Sequence, residues 1–351
     1  MPKPLSTLVL TAALLAGAFA AAAPAKAASE EERRVWTGPT SCREVVELER
    51  GRMAQAAAAR LRVATWNIEW FPDHTDVTWL ACAIAWMNLD LLGVVEIRDG
   101  ERARAQMEAL LAELGRLTGA PWHVDLQRCG ARSSQHVGFL WNAARLRLLA
   151  ADDAWPFNAR ARGPEEPCAG WLRPGRHGYF APARGPGAGF HAIVVHLKSG
   201  ATEAAAAERA QALGRLAQAT ASLGPDGARA LLLGDFNTMG DGSRGSAEAE
   251  VRGLARLASA SALGLREGTM APACTEYYRG KGGRLDDVLA SRAMGALTPD
   301  GARVSGYCAV AGCAPISPWR ARERPAAYES LSDHCPVVVE FGDALSSRAR
   351  N

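Results

Sequence analysis

The chain has 351 residues, of which 48% are hydrophobic and 22% charged, and its 40 Lys and Arg nearly balance 37 Asp and Glu for a formal net charge of +3. This composition excludes a disordered or strongly polycationic chain and allows one large domain with a substantial core. Global charge argues neither for nor against a polyanionic partner.

Lys3, the apolar run Leu5 to Ala22 and the small-x-small triplet Ala25-Lys26-Ala27 read as a secretory signal over residues 1–27. A second cleavage option follows Ala20, and a retained membrane anchor is the alternative reading of the run. Cys42 lies too far beyond it for a lipid anchor, and no later segment is long and apolar enough to span a bilayer. The expected location is therefore periplasmic or secreted. Eight cysteines in an oxidising compartment suggest disulfides, and none forms a C-x-x-C metal pair. Cys308 with Cys313 is the first expected bridge and Cys129 with Cys168 the second. Cys335, which opens an apolar strand, is expected to be a buried thiol.

Residues 28–60 read as an N-terminal extension with a helix from Ser41 to Ala59. A domain over residues 61–343 and a tail over 344–351 follow. Strand-like runs are Leu61–Trp66, Leu91–Ile97, Trp122–Leu126, Val137–Trp141, His191–His196, Ala230–Leu233, Leu285–Ala290 and Pro336–Phe341. Helical runs are Val77–Met87, Arg102–Leu117, Thr202–Ser222 and Ala247–Ser261, with Thr75 or Asp76 capping the first and Thr202 the third. Gly163 to Gly189, rich in Gly, Pro and Arg, reads as a long surface excursion. Strands mixed with helices throughout indicate an α/β or α+β domain, without deciding between one sheet and two.

Several strands deliver a polar residue at or just past their last apolar position: Asn67, Glu96, His196, Asp235 with Asn237, and Asp333-His334. Arg284-Leu285-Asp286-Asp287 places acids inside a further strand. One such residue is usually a cap or turn, whereas a set at one edge of successive strands reads as the floor of a cleft. Carboxylates and amide oxygens are hard donors that suit Mg²⁺ or Mn²⁺, and histidines beside them can move protons or steady charge on phosphorus. P-loop, G-x-S-x-G and H-E-x-x-H motifs are all missing.

Thr65-Trp66-Asn67-Ile68-Glu69, His196-Leu197-Lys198-Ser199, Gly234-Asp235-Phe236-Asn237, Arg284-Leu285-Asp286 and Ser332-Asp333-His334-Cys335-Pro336, in this order, resemble the endonuclease/exonuclease/phosphatase superfamily over about Leu61 to Gly342. The resemblance implies a four-layer sandwich, two packed mixed β-sheets flanked by helices, with a cleft at one end of the sheets. It implies Glu96 as principal metal ligand, assisted by Asn67, with Asp333 in the metal network. Asp235 would orient and deprotonate the attacking water, and Asn237 would hold that water or the phosphate. Asp286 would fix the ring of His334, and His196 would contact the scissile phosphate. Val95 stands where the family usually has Gln. Deoxyribonuclease-like members support the histidine equivalent to His196 with an acid, which Ser133-Ser134-Gln135-His136 lacks.

Asp73, His74 and Asp76 are read as loop and cap residues rather than a second metal site, and Trp79 and Trp86 as core. Tyr277-Tyr278-Arg279-Gly280-Lys281 is either a nucleic-acid contact or a solvated hairpin tip. The resulting expectation is an exported, monomeric nuclease acting on DNA or RNA, with Arg132, Lys198, Arg279, Lys281 and Arg284 as phosphate contacts. A lipid phosphodiesterase or phosphoinositide phosphatase is the alternative. Its membrane hairpin would have to lie around Trp155-Pro156-Phe157 and Trp171, a stretch broken by Arg and Pro.

Overall fold

The computed structural model describes residues 28–53, 60–129, 135–185, 187–221, 223, 229–261, 263–267, 274–317, 320, 323–342 and 344–345. The signal over residues 1–27, the end of the helix expected to reach Ala59, Ser133 and Ser134, Arg132, Ser222 and the tail from 346 lie outside them.

In chain order the strands are β1 (Leu61–Phe71), β2 (Leu91–Ile97), β3 (Trp122–Leu126), β4 (His136–Asn142), β5 (Leu146–Ala154), β6 (Gly175–Pro182) and β7 (Phe190–His196). They continue with β8 (Ala230–Asp235), β9 (Arg266–Glu267), β10 (Glu276–Tyr278), β11 (Lys281–Gly283), β12 (Asp286–Ala290), β13 (Leu297–Val304) and β14 (Val337–Phe341). One sheet runs β13-β14-β1-β2-β4-β3 and the other β5-β6-β7-β8-β12-β9, while β10 and β11 form a separate hairpin. Each large sheet mixes a parallel pair, β1 with β2 or β7 with β8, with antiparallel neighbours.

The two sheets pack face to face through apolar residues of β1, β2, β7 and β8 such as Val63, Val94, Val194 and Leu233. Gly93 permits the closest approach, because a Cβ there would stand 2.7 Å from Leu233 Cδ1 and 2.8 Å from Val194 Cγ2. At one edge Arg176 of β6 is buried between Asp125 of β3 at 2.6 Å and Asp153 of β5 at 2.9 Å, tying the sheets together. A buried cation needs such partners.

Helices cover the outer faces: α1 (Glu30–Val35), α2 (Pro39–Met53), α3 (Val77–Met87) and α4 (Glu101–Thr118) belong to the first half of the chain. From the second half come α5 (Glu203–Gly214), α6 (Leu216–Ala221), α7 (Ser246–Ala260), α8 (Tyr307–Ala311) and α9 (Ala326–Ser330). Asp76 caps α3 by accepting from the Trp79 amide at 3.0 Å, and Thr202 caps α5 from Ala205 at 3.2 Å. The two-sheet sandwich flanked by helices matches the architecture that the resemblance implies.

Several features differ from the sequence reading, which placed no strand at β5, β9, β10, β11 or β13. The stretch 163–189 contains β6, a strand inside the second sheet. The helix expected over Thr202–Ser222 breaks at Arg215 into α5 and α6. The extension joins the main core, with Val35, Trp36, Val45 and Val46 buried and Trp36 edge-on to Trp66 at 5.7 Å. Cys308 pairs with Cys335 and Cys313 with Cys274, so Cys335 is no free thiol; Cys129–Cys168 does form, and Cys42–Cys82 joins α2 to α3. Cys308 and Cys313 stand across the end of the short α8 and face different partners, one ahead of β14 and the other ahead of β10. No helix among the described residues is long and apolar enough to cross a membrane.

Candidate active site

The ends of β1, β2, β7, β8 and β12 converge, and their terminal polar residues meet across the two sheets. Asn67 is the hub. Its Nδ2 donates to Glu96 Oε1 and to Asp235 Oδ2, each at 3.1 Å, and lies 3.4 Å from His334 Nε2. Backbone geometry presents these groups. Glu96 has φ 66° at the irregular end of β2, and Asn237 has φ 51°, its amide donating to Asp235 Oδ1 at 2.8 Å. Such left-handed residues are strained and concentrate at functional sites. Gly234, at φ 138°, is required just before Asp235, because any Cβ there would collide with the Val195 carbonyl of the neighbouring strand.

Asp286 and Asp235 are register partners on β12 and β8. The next acid along, Asp287, points the other way and pairs with Arg284 at 2.7 Å. Asp286 Oδ2 instead accepts from His334 Nδ1 at 2.7 Å, with both residues buried. Burial alone would push the His334 imidazolium down, but the charge and hydrogen bond of Asp286, with Asp333 and Asp235 beyond, hold it well above 6.5. His334 Nε2 then faces Asp333 Oδ1 at 3.8 Å and Asp235 Oδ2 at 4.0 Å.

His196 is the opposite case. Burial, then Arg173, His334 and Lys198, press its pKa well below 6.5, so it is neutral. Its Nε2 lies 3.6 Å from Asp235 and 3.7 Å from Glu96, while Nδ1 is buried with no hydrogen-bond partner among the described residues. No acid supports that nitrogen. Burial followed by the nearby Asp286 charge raises Asp235 to about 7.

Three site residues had no role assigned from the sequence. Arg173, half-buried just before β6, interacts electrostatically with Glu96, Asp235 and His196. Its signal, an Arg-Pro step ahead of a strand, is masked by Gly and Pro. Glu69 Oε2 accepts from the Asp333 amide at 3.0 Å, and burial with the Asp333 charge lifts it to about 7. Glu276, buried on β10 and bridged to His334, is lifted to about 8 by burial and by Asp333, Asp235 and Asp286, against the lowering effect of His334. Of the expected phosphate contacts, Lys281 is exposed and Lys198 half-buried, whereas Arg284 is engaged with Asp287. Pro156 and Phe157 are buried, so they offer no membrane hairpin.

The loops behind the site are clamped by Arg209 of α5. Its buried guanidinium donates to the carbonyls of Lys198, Gly200 and Gly240 and to Glu250, joining the segment after His196 to the one after Asn237.

Six carboxylates, Glu69, Glu96, Asp235, Glu276, Asp286 and Asp333, thus surround few cations, and four are raised toward neutrality. A divalent cation relieves that repulsion, and hard oxygen donors suit one. Asp235, Asp286 and His334 lie close enough to share an ion. Asp286, however, is fully buried and holds His334 through Oδ2, its Oδ1 having no hydrogen-bond partner among the described residues, whereas Glu96 and Asp333 are partly open to solvent. The open pair, with Asn67, fits a hydrated ion better.

A two-sheet sandwich with this floor of acids, amides and imidazoles defines a phosphoric ester hydrolase. The chain belongs to the Endonuclease/Exonuclease/phosphatase family, whose family model matches residues 64–334. No curated protein matches it. The fold is similar to that of D. rerio TDP2 complexed with single strand DNA product, at 14% identity over 81% of this chain and 99% of that one, with a TM-score of 0.52. It is also similar to the 3' phosphatase NExo from Neisseria bound to product DNA hairpin, at 20% identity, 80% and 99% coverage and a TM-score of 0.52. A Bacteroides thetaiotaomicron family protein matches at 16% identity, 81% and 98% coverage and a TM-score of 0.51.

Proposed function

We propose that this chain is an exported, Mg²⁺- or Mn²⁺-dependent phosphodiesterase that cleaves nucleic acid by water attack on the phosphate. The observation that carries the reading is the meeting of Asn67, Glu96, His196, Asp235 and the Asp286–His334 pair at one end of both sheets. DNA in two of the similar structures supports the polymer as substrate, and four disulfides support an oxidising compartment.

Asp235, titrating near 7, takes the proton of the attacking water at neutral pH. Asn237 donates through Nδ2 to the Leu197 carbonyl at 3.0 Å, which fixes its amide beside that water. His334, kept protonated, faces the charge that grows on the phosphoryl oxygens. Neutral His196 offers Nε2 as a phosphate contact, in keeping with the lack of an acid behind it. A divalent ion held by Glu96, Asn67 and Asp333 would neutralise phosphate charge and polarise the phosphorus centre.

The test is a substrate panel for the purified protein with Mg²⁺ or Mn²⁺: plasmid DNA, single-stranded DNA, RNA, sphingomyelin and phosphoinositides. Chelator-sensitive cleavage of a nucleic acid is expected. Turnover confined to the lipids would overturn the reading.

A further inference from the structure

Among the described residues, three aromatic rings are prominently exposed: Trp70 at 36%, Trp171 at 66% and Tyr278 at 56%. All three adjoin the cleft in sequence. Trp70 follows Glu69, Trp171 stands two residues before Arg173, and Tyr278 two after Glu276. Single exposed rings are ordinary on a protein surface, but rings next in sequence to cleft residues stand where a bound substrate would extend from the cleft.

Backbone geometry turns each ring outward. Glu69 and Trp70 have φ of 33° and 50°, in the left-handed region that bulky residues avoid. They occupy the irregular stretch of β1 between Asn67 and Phe71, where pairing with β2 shifts. The kink returns the Glu69 carboxylate to the Asp333 amide, and the Trp70 amide donates to Glu96 Oε2 at 3.3 Å. Trp171 has φ 66°. Tyr278 ends β10 at a tight turn, where Arg279 and Gly280 have φ of 51° and 80°.

Two of the rings carry an arginine. The Arg98 guanidinium lies 4.4 Å from the centre of the Trp70 ring, and that of Arg279 lies 5.2 Å from Tyr278. Arg98 is pinned in turn by Asp73, with Nη2 2.6 Å from Oδ2. Asp333 links the two pairs, because its amide donates to Glu69 and its carbonyl accepts from the Tyr277 amide at 3.0 Å.

We propose that Trp70–Arg98 and Tyr278–Arg279 are stacking platforms for unpaired bases flanking the scissile phosphate, so that the substrate is a single strand in preference to a duplex. This rests on the reading of the cleft as a nuclease site. With a guanidinium over one face, each ring has its other face to offer a base, and the cation supplies charge to the adjoining phosphate. In a duplex those base faces are covered by neighbouring pairs, and only a strand with splayed bases can use the plates.

The experiment measures binding of the full chain, with Mg²⁺ present, to a fluorescent single-stranded oligonucleotide carrying non-hydrolysable phosphorothioate linkages, and to the same sequence as a duplex. Single-strand binding should be the tighter. Trp70→Ala and Tyr278→Ala should each weaken it about tenfold or more, with a smaller effect on the duplex. Trp70→Phe, which keeps a ring on the same backbone, should recover much of the loss. Leu149→Ala, at an exposed apolar site on edge strand β5, should leave binding unchanged. Equal affinity for strand and duplex, or ring removals no worse than Leu149→Ala, would overturn the platforms while cleavage of nucleic acid kept the nuclease reading standing. Neither binding nor cleavage of either polymer would overturn both.

Discussion

Replacing Asp286 with Asn removes one charge from a buried pair whose atoms lie 2.7 Å apart. With charge centres roughly 4 Å apart and an effective dielectric of about 20, the attraction is worth about 4 kcal/mol in favour of the His334 imidazolium. Without it, burial draws His334 down against only the weaker support of Asp333 and Asp235. With the protonated ring less favoured, kcat near neutrality should fall on the order of 10–100-fold. The variant's pH optimum should lie below that of the wild type, because His334 needs more acid to stay protonated and Asp235, freed of the Asp286 charge, keeps its base form further down. His334→Ala removes the ring itself and should lose on the order of 10²–10⁴-fold at every pH. The double variant should be no worse than His334→Ala, because the two groups act as one unit. Steady-state kcat against pH for the four proteins decides. Additive losses, or an Asp286→Asn enzyme with the wild-type pH profile, would refute the pairing.

Glu96→Gln keeps the side-chain shape but not the charge, so activity titrated with Mg²⁺ should need more metal; an unaltered requirement would remove Glu96 as the ligand. Metal-free protein should lose stability as pH rises from about 4 to 8. Asp235 and Glu69 titrate near 7 and Glu276 near 8 in the fold, against 3.8 and 4.5 outside it, so the unfolded chain binds fewer protons across that window. Saturating Mg²⁺ should flatten the trend by displacing those protons, and thermal melts with chelator that improve toward high pH would contradict it. Replacing Cys308 and Cys335 with Ser opens a loop of 27 residues and should lower unfolding free energy by about 3–4 kcal/mol, read as a shifted denaturant midpoint. Thiol titration of the intact, denatured protein should find none of the eight cysteines free.

The strands that carry Asn67, Glu96, His196 and Asp235 were legible because each is a short apolar run ending in a polar residue, a pattern that survives without tertiary context. β6 was not. Its segment holds Gly175, Arg176, His177, Gly178 and Pro182, which erase the alternation, and Arg176 is buried only because Asp125 and Asp153 come to it from other strands. Arg173 was hidden by the same composition. Glu276 and Glu69 acquire their places through backbone contacts with the Ser332–His334 segment, more than fifty residues away for the first and more than two hundred for the second. The bridges from Cys308 and Cys313 were misjudged because closeness along the chain says nothing about the direction of a side chain at the end of a helix.

Leu61 pairs with Phe341, so β14 lies beside β1 in the first sheet. His334 reaches Asn67 across 267 positions of chain. On a ribosome, Asn67 and Glu96 are made first and must wait for Ser332–His334 and β14 to emerge. Until then one side of β1 is unpaired, and the cleft lacks both Asp333 and the His334 imidazolium. Long-range closure of this kind is slow compared with local helix formation. Completion of the site therefore waits for Ser332–His334, and a product stopped before Ser332 lacks both Asp333 and the His334 ring that Asp286 holds.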